Sequence, residues 1–88
     1  MSKNLNQLSA DLKLTARDAS VLCIVARYQD TFREKGLNSH INDISPNALL
    51  VAHAILDDSK QFGGSADITA AAKYYREWNE QCELYHKN

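Results

Sequence analysis

Apolar residues recur along this chain at intervals of three and four, and the pattern predicts four helices. Leu5, Leu8 and Leu12 form one narrow stripe, predicting a first helix over 3–13 with Ser2 or Asn4 as its cap. The stretch "TARD" at 15–18 reads as a capping box. Thr15 can accept from the third helical amide, and Asp18 adds negative charge at the positive end of the helix dipole. Val21, Val25, Tyr28 and Phe32 then fall on one line, flanked by Leu22 and Ile24. Gly36 follows the basic Lys35, so a second helix is predicted over 16–35. After a turn-rich connection pinned by Leu37, Ile41 and Ile44, Ser45 caps a third helix over 46–60. Pro46 suits its first position, where a missing N–H costs nothing.

The third helix differs from the others. Leu49, Leu50, Val51, Ile55 and Leu56 spread over most of its circumference, and a helix apolar all round belongs in the interior. Its one polar side chain after Asn47 and before Asp57 is His53. A buried neutral imidazole is the expected state, and an interface position would instead make association pH-dependent. "GGS" at 63–65 breaks the chain, and Ser65 or Asp67 caps a fourth helix over 67–86. There Ile68, Ala71, Tyr75, Trp78, Cys82 and Tyr85 are spaced as a heptad-like seam. No stretch alternates with period two for more than a few residues. The expectation is a single all-α domain over 1–88: a compact bundle of about four helices, the third wrapped by the other three, with dimerisation as a means of completing it.

Charge and composition narrow the function. Ten basic residues stand against eleven acidic ones, a net charge of −1 that gives no strong attraction to a phosphate backbone or an anionic membrane. No apolar run approaches the roughly 18–20 residues of a membrane span. The N-terminal stretch lacks the apolar core of a secretory signal, so a cytoplasmic protein is expected. Cys23 and Cys82 lack a C-x-x-C partner and read as reduced thiols. Cys82 and His86 are one turn apart, but a tetrahedral metal site needs two more ligands at a suitable spacing, and none is in view. P-loop, dinucleotide, nucleophile-elbow and H-E-x-x-H motifs are absent from the sequence, so no cofactor and no enzymatic activity are expected.

"LTARDASVLCIVARY" and "SPNALLVAHAIL" resemble, at a few residues each, the winged-helix DNA-binding domain of SOS-type repressors. That resemblance implies a recognition helix beginning at Ser45. Such a helix must present Arg, Lys, Asn or Gln to the groove. This one presents leucines, with no basic residue before Lys60, so nucleic acid is an improbable partner.

The remaining signal is aromatic. Tyr74, Tyr75, Trp78 and Tyr85 crowd the last helix beside Lys73 and Arg76. The expectation is a protein-binding, self-associating helical protein, most readily a dimer, of the small regulator or inhibitor kind often carried by phages. Its contact surface comprises Tyr74, Arg76, Trp78 and Tyr85, with Leu50 and His53 as a second patch. The alternative is an oligomer that holds a nucleotide against the aromatic faces, with Lys73, Tyr74 and Arg76 lining the site.

Overall fold

The computed structural model describes residues 4–37, 43–57 and 65–86, and side chains as far as Trp78. Five helices occur among them: α1 (Leu5–Asp11), α2 (Ala16–Arg27), α3 (Gln29–Lys35), α4 (Pro46–Leu56) and α5 (Ala66–His86). The radius of gyration is 12.4 Å, close to the roughly 12 Å expected of a folded chain of this length. This is an all-α bundle.

The helix starts follow the capping chemistry of the sequence. Asn4 accepts from the Gln7 amide at 2.8 Å while the Gln7 side chain accepts from the Asn4 amide at 3.0 Å, a reciprocal box. Thr15 and Asp18 form a second box at the head of α2. Ser45 caps α4 with Pro46 in the first turn, and the Ser65 hydroxyl accepts from the Ile68 amide at 3.2 Å. One helix end was not legible. After α1 the chain turns through Lys13 at φ 59°, with Lys13 N–H donating to Ala10 C=O at 3.1 Å and Leu14 N–H to Ser9 C=O at 2.8 Å. That is a Schellman ending with lysine where glycine is usual.

The predicted second helix is two helices. The backbone leaves helical geometry at Tyr28 (φ −115°, ψ 43°) and resumes at Gln29. The break re-aims the apolar line. Leu22, Val25, Ala26 and Phe32 are buried, whereas Ile24 is 50% and Tyr28 53% exposed. Tyr28 therefore leaves the core line to which its spacing assigned it.

Helix α4 is the hub, with two corrections. Its fully covered positions are Ala48, Val51, Ala52, Ala54 and Ile55, while Leu49, Leu50 and Leu56 are only partly buried. His53 is exposed, so the expected buried imidazole is wrong: the inward face is made of alanines with Val51 and Ile55, and the leucines around His53 lie at its edge. The second correction concerns the cover. Helices α2, α3 and α5 pack on α4, and α1 packs on α5 instead. A polar tie joins the α1 end to α4, Asn47 Nδ2 donating to the Leu12 carbonyl at 2.9 Å.

Small side chains make this arrangement possible. Ala48, Ala52 and Ala54 of α4 and Ala71 and Ala72 of α5 are buried with almost no solvent contact, alongside Val51, Ile55, Ile68 and Tyr75. Helices whose facing positions are alanine approach toward the short end of the roughly 8–10 Å axial range. Enlarging one of these positions leaves nowhere for the added volume to go. Ala52→Leu is expected to lower stability by about 1–3 kcal/mol in urea unfolding, with an unchanged slope against denaturant.

Candidate functional site

The most polar interior feature is Asp18. Its carboxylate is only 2% exposed and is the one buried charged side chain among the described residues. As the third residue of α2 it accepts from the Thr15 amide at 2.9 Å, and its own amide donates to Thr15 Oγ1 at 3.0 Å. The same carboxylate reaches the next helix. Ser45 N–H donates to Oδ1 at 3.1 Å and the Ser45 hydroxyl donates to Oδ2 at 2.9 Å. Ser45 Oγ in turn accepts from the Ala48 amide at 3.2 Å. One negative charge thus sits at the N-termini of α2 and α4 together, where both dipoles favour it.

The other end of α4 carries positive charge. Arg76 Nη1 donates to the carbonyls of Ala54 at 2.9 Å and Ile55 at 3.3 Å. Arg33 Nε donates to the Leu56 carbonyl at 2.9 Å, and its remaining nitrogens meet Gln29 Oε1 at 3.1 Å and Asp30 at 3.6 Å. Three terminal carbonyls that no helical amide can reach are thereby satisfied.

Burial pushes the Asp18 carboxyl up, but the hydrogen bonds from Thr15 and Ser45 outweigh it, leaving the group below its ordinary value of 3.8. Tyr75 is displaced upward from 10.0. Burial is the main cause and the neighbouring Cys23 adds to it; a hydrogen bond shared with Ser9 works the other way, and Asp18 contributes a further upward push. This tyrosine therefore ties α5 to α1 while its ring lies in the core.

The residues singled out in the sequence separate into three groups. Arg76 is part-buried with Nη1 committed to α4. Lys73 and Trp78 are exposed, Trp78 by 47%, one turn beyond buried Tyr75. Tyr74 and Leu50 are half-buried against the core, and His53 stands exposed on α4. The side chain of Tyr85 lies outside the described residues, as do those of Cys82 and His86. The seam read along the last helix holds through Ile68, Ala71 and Tyr75, and Trp78 departs from it by turning to solvent. Sequence reasoning missed Ile24 and Tyr28, exposed one turn apart on α2. The only signal for Ile24 was its place at the margin of the apolar stripe, and Tyr28 gave none, since its spacing put it on the stripe.

Among the described residues no cluster of His, Cys, Asp or Glu could hold a metal ion, and no helix is long and apolar enough to cross a membrane. Comparison with protein-family models, with curated proteins and with solved structures gave no match.

The pKa directions fix the shape of the stability profile. Asp18, depressed in the folded state, contributes stability that is fully present above 3.8 and is lost as pH falls through its folded value. Tyr75, raised in the folded state, contributes stability present below 10.0 and lost as pH climbs through its folded value. Urea midpoints measured across the pH range should fall on both limbs. Asp18→Asn should lower the neutral plateau by about 2–3 kcal/mol and flatten the acid limb. Tyr75→Phe should flatten the alkaline limb alone.

Proposed function

We propose that this chain is a helical interaction protein without catalytic activity, which binds a partner protein and self-associates as a dimer. The supporting observation is the exposure of three large hydrophobic side chains, Ile24 on α2, Tyr28 at its C-terminal end and Trp78 on α5. Isolated apolar residues on a surface carry little meaning. Here Ile24 and Tyr28 share one helical face, and Trp78 extends a line that is buried up to Tyr75, so each site continues a packing surface instead of standing alone. The ordered interior adds weight. Asp18 and Ser45 inside, and Arg33 and Arg76 nearer the surface, bond to helix ends, which leaves them occupied with structure.

The nucleotide-binding alternative has less support, because Arg76, the cation nearest the aromatic residues, has Nη1 on the carbonyls of α4. A regulator or inhibitor role fits a small all-α protein whose exposed features are apolar contact residues.

Light scattering at tens of micromolar is the direct test. The expected mass is about twice the 9.9 kDa of the chain, returning to 9.9 kDa in Trp78→Glu or Ile24→Glu. Because these side chains are half exposed, the variants should stay within about 0.5 kcal/mol of the parent in stability. A parent mass of 9.9 kDa at every concentration rejects self-association. A nucleotide that raises stability by about 2.7 kcal/mol at a hundredfold excess over its Kd would instead establish the alternative.

A further inference from the structure

The bend at Tyr28 is built from residues that give no local reason to bend. Positions 16–35 contain neither glycine nor proline. They begin on the full capping box of Thr15 and Asp18 and end on Gly36 (φ 82°) after Arg33 and Lys35. Those are the terminal signals of one continuous helix. The interior break is poorly finished by comparison. Helix α3 starts without a side-chain cap, and the Gln29 side-chain amide bridges the bend, donating to the Ala26 carbonyl at 3.0 Å. The first amides of α3 have no acceptor within the helix, and the Tyr28 ring stays 53% exposed.

Tertiary contacts hold the bend. Phe32 and Leu37 are buried in the core, and Arg33 Nε binds the Leu56 carbonyl at 2.9 Å. These fix α3 on the far side of the bend from α1 and α2. In one molecule, straightening residues 16–35 would draw α1 and α2 away from α4 and α5 and open the core, including the Asp18–Ser45 contact. Two molecules escape this conflict. The α1–α2 unit of each can pack on α4–α5 of the other, so that every core contact between the two units is re-made between chains. Arg33 keeps its bond to Leu56, and the backbone near Tyr28 gains the helical hydrogen bonds the bend forgoes.

We infer that Tyr28 is the hinge of a domain-exchanged dimer in which a second copy of this chain supplies α1 and α2. The inference is independent of whether the surface of Ile24 and Trp78 also associates.

The test compares Tyr28→Ala with Tyr28→Gly in the full chain. Both remove the same exposed ring, so any change in surface stickiness is common to them. They differ in helix preference at the hinge, by roughly fivefold per copy, and two hinges straighten in each dimer. Sedimentation should give a dimerisation constant about 25-fold larger for the alanine variant. Samples mixing isotope-labelled and unlabelled chains should then show contacts between Leu22 or Val25 of one molecule and Val51 or Ile55 of the other. Equal dimerisation constants overturn the inference, as do alanine and glycine variants that both remain monomeric at several hundred micromolar. So does a dimer whose core contacts are all within one chain. That last result, with contacts between molecules only at Ile24 or Trp78, would leave surface self-association standing while removing the hinge.

Discussion

A single buried carboxylate organises the start of two helices. Asp18 belongs to α2 by sequence, but two of its hydrogen bonds come from Ser45, the first residue of the α4 turn. A charge so nearly excluded from water is costly unless it is bonded on several sides. It is bonded by two amides and a hydroxyl, and it lies where two helix dipoles present their positive ends. The cost of burial therefore becomes a constraint on geometry. Helices α2 and α4 must bring their N-termini to within hydrogen-bond reach of one side chain, and the core between them follows from that.

The opposite end of α4 completes the electrostatic arrangement. Arg33 from α3 and Arg76 from α5 meet the carbonyls of Ala54, Ile55 and Leu56. An apolar helix rich in alanine has few side-chain means of fixing its own position along its axis. Here the neighbours do it, with negative charge at the head and positive charge at the tail. The aliphatic interior then needs only small complementary residues such as Ala48, Ala52, Ala71 and Ala72. The same arrangement explains why a cation beside an aromatic helix is not by itself a ligand site: part of the Arg76 guanidinium is already spoken for by the fold.

Local signals made much of this fold legible. The caps at Thr15, Ser45 and Ser65 and the apolar character of 46–56 predicted three helix starts and the identity of the central helix. The all-α class followed from the absence of period-two alternation. What escaped was set by packing at long range. The break at Tyr28 has no sequence mark, because it is imposed by contacts of Phe32, Arg33 and Leu37 elsewhere in the chain. His53 looked interior because its helix neighbours are leucines, yet the alanine face is the one that turns inward. Asp18 was legible as a cap of its own helix, while its bond to a serine 27 residues away was not. Along the last helix, spacing placed Tyr75 correctly in the core. It could not show that Trp78 turns to solvent, since that depends on which helices reach far enough to cover it.

A double-mutant cycle between Asp18→Asn and Ser45→Ala measures the cap shared by α2 and α4. If one carboxylate holds both helix starts, the two substitutions are coupled, with an interaction of about 1 kcal/mol or more in urea unfolding. Additivity within about 0.3–0.5 kcal/mol would mean that each residue caps its own helix alone, and that the junction between α2 and α4 is held by something else.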